Sequence, residues 1–230
     1  MNELLLHSTF FGVFISIVSY MAGMWLKKRF RLGIFNPLLV SIVIIIIVLL
    51  VGDIDYETYN AGAKYLSYLL TPATVCLAIP LYEQFEMLKS NWKAVVVGIF
   101  SGCLASLGSV LALAVLFDFS HEEYVTFLPK SITTAIGMGV SEELGGYVSI
   151  TVAVIILTGV LGNIMAETVI KVFRIKEPVA RGVAAGTAAH AIGTAKAMEL
   201  GEVEGAMSSL SIVVSGLITV VGASVFANCM

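Results

Sequence analysis

Apolar residues in this chain come in long runs, and the polar residues gather at the joints between them. Leu5–Trp25 is the first run, close to the ~20 residues that carry a helix across a bilayer. Lys27, Lys28, Arg29 and Arg31 follow it in one short loop. Phe35–Gly52 is the second run, opened by Asn36-Pro37 and closed by the acidic stretch Asp53–Glu57. Trp92–Phe117, Val148–Phe173 and Ala206–Phe226 read as three more full helices. Short basic loops stay in the cytoplasm. The loop after Trp25, then Lys89 and Lys93, then Lys171, Arg174, Lys176 and Arg181 are therefore expected inside, and the N-terminus outside. No basic region precedes the first run, so it reads as a retained span rather than a cleaved leader.

Three further stretches are apolar but interrupted: Tyr59–Glu86, cut by Thr71-Pro72 and Pro80, then Pro129–Gly146, then Pro178–Gly201. An interior proline removes a backbone hydrogen bond and kinks or breaks a helix. In lipid, irregular backbone survives only where protein or a water-filled cavity surrounds it. Tyr59–Glu86 is expected to give one crossing plus a broken or re-entrant piece. Pro129–Gly146 is expected to be re-entrant, because a crossing there would move the later basic cluster outside. Pro178–Gly201 is long enough to cross outright at ~1.5 Å per residue, so both topologies stay open for it.

Two of the interrupted stretches repeat each other. Ala135-Ile136-Gly137, five residues, then Glu143-Leu144-Gly145 matches Ala191-Ile192-Gly193, five residues, then Glu199-Leu200-Gly201. A fainter third copy aligns Pro72 with Pro129 and Ala78-Ile79 with Ala135-Ile136. Repeated broken segments in a membrane protein mark a transporter's substrate site. The expected fold is all-α and polytopic, with about six to eight membrane segments and discontinuous or re-entrant helices in an inverted repeat. One integral membrane domain, 1–230, is expected, with an N-terminal helix pair (1–57) and a repeat-containing core (58–230).

Composition agrees with this class. The chain is 58% hydrophobic and 13% charged, against about 25% charged for a soluble domain. Its net charge of −3 argues against a nucleic-acid partner. Cys76, Cys103 and Cys229 form no CxxC pair and read as free thiols. No hydrolase, metalloprotease or nucleotide-binding signature is present, and His7, His121 and His190 are too dispersed for a metal cluster. The chain reads as a non-enzyme that needs no cofactor or metal.

Candidate chemistry sits in the broken segments. Thr187, His190 and Thr194, at i, i+3 and i+7, would share one helical face. Gly182, Gly186, Ala189, Gly193 and Ala197 give that helix a small-residue surface for close packing. Ser131 and Thr134 take the matching positions in the earlier unit, beside Lys130 and Thr133. Hydroxyls, a histidine, a lysine and half-helix N-termini suit a small carboxylate. Lys130 can equally snorkel to an interface, His190 can be structural, and the threonines can bond their own helices. Glu167 has no loop to occupy, and Asn163 is its natural partner one turn away.

Longer strings carry a specific resemblance. Pro129–Thr134, Arg174–Gly182, Gly186–Ala195 and Glu199–Gly205 closely resemble the LrgB/CidB family, and the likeness covers nearly the whole chain. That family's bacterial members are described as antiholin-like regulators of murein hydrolases and work beside a smaller LrgA/CidA-like membrane protein. The plant plastid glycolate/glycerate translocator is similar to a fusion of the two, and some bacterial relatives are linked to pyruvate uptake. The resemblance implies a secondary transporter of small monocarboxylates (glycolate, glycerate, lactate or pyruvate type) in the bacterial inner membrane. The rival it implies is a holin-like pore or regulator. Carried onto this chain, the family's motif positions are Lys130, Ser131, Thr133, Thr134, Arg181, Thr187, His190 and Thr194. A coupled proton or sodium ion and a homodimer complete the expectation.

Overall fold

The computed structural model describes residues 10–30 and 35–230. Residues 5–9 of the first expected span, and Arg31 of the basic loop, lie outside the described residues. The chain forms two compact units, one ending at Cys76 and the other comprising Leu77–Met230.

The first unit contains α1 (Phe11–Phe30), α2 (Pro37–Val51), α3 (Tyr56–Ser67) and α4 (Leu70–Cys76). Asn36 caps α2 by accepting from the Leu38 and Leu39 amides, and Pro37 takes the first turn, where no amide is needed. Gly23 on α1 packs against the Pro37 backbone, and Gly12 packs against Tyr59 and Ala63 of α3. A Ser16–Tyr59 hydroxyl pair at 2.8 Å ties α1 to α3.

The second unit contains α5 (Ala78–Glu83), α6 (Phe85–Leu116), α7 (His121–Phe127), α8 (Thr134–Glu143), α9 (Val148–Val172), α10 (Pro178–Leu200) and α11 (Glu202–Ala227). α6, α9 and α11 are long and apolar enough to cross a membrane. Tyr59–Glu86 departs from expectation. It is divided among α3, α4 and α5, none of which reaches the ~30 Å of a bilayer core on its own.

Contacts fix the directions of the helices in this unit. The Cys103 thiol on α6 reaches the Ser215 carbonyl of α11, and Leu107 packs on Gly222. These pairs rise together along both chains, so α6 and α11 run parallel. Gly182 and Gly186 of α10 meet the Glu204 and Ser208 carbonyls of α11, again in parallel. Beyond residue 190 the order reverses. Thr194 bonds Ser208 at 2.7 Å, and Met198 packs on Gly205. α10 is therefore a hairpin. Ala189 (φ −131°, ψ 18°) and His190 (φ 43°, ψ −135°) leave helical geometry at its tip.

α7 and α8 form a second hairpin. A Ser120/Glu123 capping box starts α7, and Pro129 lies in the turn that ends it. α8 stops at Gly145, whose φ of 81° glycine tolerates. The Tyr147 amide then donates to Thr126 Oγ1 at 2.8 Å, and the Thr151 hydroxyl is shared by Thr126 and Ser141. The Tyr147 hydroxyl donates to Glu122 at 2.7 Å, and that carboxylate holds the phenol above its usual range. Tyr124 donates to the Phe226 carbonyl, so this hairpin opens at the C-terminal end of α11. The α10 hairpin opens at the N-terminal end. The two thus enter the unit from opposite ends.

The lysines and arginines sort along the same axis, whereas acids occur at both ends. Lys89, Lys93, Lys171, Arg174, Lys176, Arg181 and Lys196 lie toward the end that carries the start of α11. Asp118, Glu122, Glu123, Glu142 and Glu143 lie toward the other. Lys130 is the one basic residue of Leu77–Met230 at neither end.

Candidate functional site

α6 supplies the wall on which the two hairpin tips meet. Gly98, Gly102 and Ser106 recur every fourth residue and line one face of the helix. Gly98 packs on Val183, and Gly102 receives the methyl of Thr187, whose Cγ2 lies 2.7 Å from where a Cβ would stand. One turn further, Ser106 meets the other tip. The Lys130 ammonium donates to Ser106 Oγ and Ser131 Oγ, each at 3.0 Å, and the two hydroxyls pair at 3.1 Å. The meeting point, between Gly102 and Ser106, lies near the middle of the 32-residue α6.

A cavity of about 1120 Å³ joins these groups. It runs along α6 from Met87 and Asn91, at the basic end, to Ser109, and Lys130, Ser131, Thr158 and Thr187 line it. Glu177 stands at its mouth, at the start of α10. Beyond Lys130, toward the acidic end, Leu107, Val110, Tyr124, Val125, Leu128 and Ile132 are packed into a core cluster. Among the described residues, no carboxylate lies within ion-pair distance of Lys130. The site sets a cation among hydroxyls on the wall of a largely apolar recess. That chemistry fits a small anion with an apolar or hydroxylated tail.

Of the residues proposed from the sequence, Lys130, Ser131 and Thr187 come together on this cavity. Thr133 and Thr134 belong to the same tip, Thr133 at the N-cap position of α8 and Thr134 beginning the helix, but neither lines the recess. Arg181 lies elsewhere: its Nε donates to the Ile175 carbonyl, and Nη1 lies 3.5 Å from the buried Glu204 carboxylate. Thr194 and His190 are buried beside one another, away from the lining. Thr194 donates to the His190 carbonyl, and His190 Nε2 bonds the Ile155 carbonyl at 3.0 Å. A carbonyl only accepts, so Nε2 carries the proton. The shared helical face of Thr187, His190 and Thr194 is not present, because the chain reverses at Ala189–His190 and puts Thr187 and Thr194 on different arms.

The positive φ of His190 costs about 1–3 kcal/mol and persists only when its surroundings enforce it. Here Gly159 lets the imidazole ring lie against α9, where a Cβ would stand 2.8 Å from Cε1 and Nε2. Asn163 completes the clamp, donating to the Ile192 carbonyl at 2.9 Å rather than pairing with Glu167. Glu167 instead meets Lys196 at 2.6 Å and Lys171 at 3.5 Å, and Lys196 also reaches Glu199 at 3.1 Å.

Ser106 was not singled out from the sequence. Its signal was the four-residue spacing of small residues on an otherwise bulky helix, a pattern that marks close helix approach. The Thr187 hydroxyl is buried without a partner. Such a group costs about 1–3 kcal/mol. T187V keeps the shape and removes that cost, so the empty protein is expected to melt a few degrees higher in a thermal-shift assay.

Long apolar helices with two helical hairpins entering from opposite ends fit a multi-pass membrane protein. The LrgB-like family model matches residues 16–229, and the chain belongs to that family. No solved structure matches the chain.

Proposed function

We infer that this protein is a secondary transporter of small monocarboxylates of the glycolate, glycerate, lactate or pyruvate type. The observation that carries the reading is Lys130, a lysine held in mid-unit by two serine hydroxyls on the wall of a recess, with no acid beside it among the described residues. A charge at such depth is costly and marks a function. A carboxylate entering the recess would take over donors of Lys130 now resting on Ser106 and Ser131. The opposed hairpins support an inverted internal repeat and an alternating-access cycle, in which either tip can move away from α6. The charge sorting favours the basic end as the cytoplasmic one.

The family is also linked to murein hydrolase regulation, and a holin-like pore acting with an LrgA/CidA-like partner is the rival reading. The two hairpin tips meet on α6 at Gly102 and Ser106, and Leu107, Val110, Leu128 and Ile132 pack beside them, which favours a carrier over an open lumen. Uptake of labelled glycolate, lactate and pyruvate into proteoliposomes holding this protein alone separates the two. A carrier gives saturable uptake that related monocarboxylates compete away. Unselective leakage of a trapped dye would support the pore instead. Uptake that appears only on co-reconstitution with the partner would make the transporter a two-protein assembly.

A further inference from the structure

We propose that Lys130 is a charge switch: it holds the carboxylate as an ammonium and lets the empty site cross as a neutral amine. This rests on the carrier reading above and adds how the unloaded protein returns. The partners of Lys130 carry the argument. A carboxylate partner would lock a lysine in its charged form. Ser106 and Ser131 do not, because a hydroxyl both accepts and donates. The ammonium donates to both oxygens in the present arrangement. A neutral amine in the same place would accept from one of the same hydroxyls, so the polar groups stay satisfied in either state.

Among the described residues, nothing else near Lys130 can balance its charge: on α7, His121, Glu122 and Glu123 lie in the first turn, at the acidic end. On α6, Lys89 and Lys93 lie near the basic terminus of the helix. On α8, Glu142 and Glu143 end the helix at the acidic side. α9 turns Thr158 and Gly162 toward the recess, and its Glu167 is paired with Lys196 and Lys171. On α10, Arg181 faces Glu204, His190 faces Ile155, and Glu177 stands at the mouth. The Cys103 thiol of α6 points to Ser215 and Thr219 of α11.

Loaded, the ammonium and the carboxylate form a neutral pair, and the tips can close over it. Once the carboxylate leaves, an ammonium alone would have to cross a water-poor, apolar seam. The proton passes instead from Nζ to water in the recess, and the neutral amine returns. On the other side it takes a proton from water before the next carboxylate binds. One proton then moves with each carboxylate, with no net charge transferred.

Arginine tests this, since its guanidinium binds carboxylates but does not deprotonate in proteins. K130R is expected to lose less of its exchange of internal for external labelled lactate than of its net uptake. It should lose net uptake driven by an imposed pH gradient by about 100-fold. The wild type supplies a second measurement independent of how well arginine fits. Its net uptake should carry one proton per lactate, read by a trapped pH dye, and should ignore a potassium–valinomycin potential. Net uptake by K130R in step with its exchange, or potential-driven uptake by the wild type, would overturn the switch and leave the carrier standing. A wild type with no saturable exchange overturns the carrier reading itself, and the switch with it.

Discussion

K130A is expected to lower saturable carboxylate uptake about 100-fold or more without unfolding the protein. Hydrogen bonds to a charged group contribute about 1.5–3 kcal/mol each, and a bound carboxylate would draw on more than one. Loss of about 2.7 kcal/mol already corresponds to a factor of 100. The fold should survive, because Lys130 makes no ion pair whose loss would strand a buried acid. The Ser106–Ser131 contact at 3.1 Å still joins the tip to α6 without it. Uptake into proteoliposomes, with monodispersity on size exclusion as the folding check, measures both halves. A monodisperse K130A protein that transports at the wild-type rate would remove Lys130 from the site.

G186A is expected to destabilise the second unit by about 3 kcal/mol, while G139A should be neutral or stabilising by up to about 1 kcal/mol. The two glycines are both helical, and they differ in what stands opposite. A Cβ on Gly186 would run into the Ser208 carbonyl and Cα of α11, which is backbone and cannot swing aside. α10 and α11 would have to separate, loosening the Thr194–Ser208 bond and the Met198–Gly205 contact that hold the hairpin closed. A Cβ on Gly139 meets nothing within 4 Å. Thermal melting of the two variants in detergent, side by side, reads the difference. Equal melting temperatures would mean that the α10–α11 seam is not tight.

The long spans were legible because hydropathy alone marks them, though it marks lipid rather than helix. Hydropathy marks a span over Trp92–Phe117, whereas α6 begins at Phe85, since Glu86, Lys89 and Lys93 continue the helix past the apolar stretch. Pro129 announced the first hairpin because a proline breaks a helix by its own covalent structure. The second break carries no such mark. Ala189 and His190 are neither proline nor glycine, and their geometry is imposed by Ile155, Gly159 and Asn163 of a different helix. A helical wheel drawn through Thr187, His190 and Thr194 therefore assumed a continuity that tertiary contacts remove. Lys130 is legible as a charge next to Pro129 in an otherwise apolar broken stretch. Ser106 is not, because a single serine among leucine and alanine is ordinary until its partner is known.

The two glycine seams of the α10 hairpin set an order of assembly. Gly182 and Gly186 find their seat on α11, and α11 is synthesised after them. Until residues 202–227 have left the ribosome, the hairpin has no surface on which to lay its small-residue side. Its backbone turn at Ala189–His190 would face lipid, where unpaired amides and carbonyls are costly. α9 is synthesised before the hairpin, and it offers polar partners: Ile155 for the imidazole, Asn163 for the Ile192 carbonyl, Glu167 for Lys196. Those three bonds, strung along one face of the preceding span, are suited to shelter the newborn hairpin until the last helix arrives to close over it.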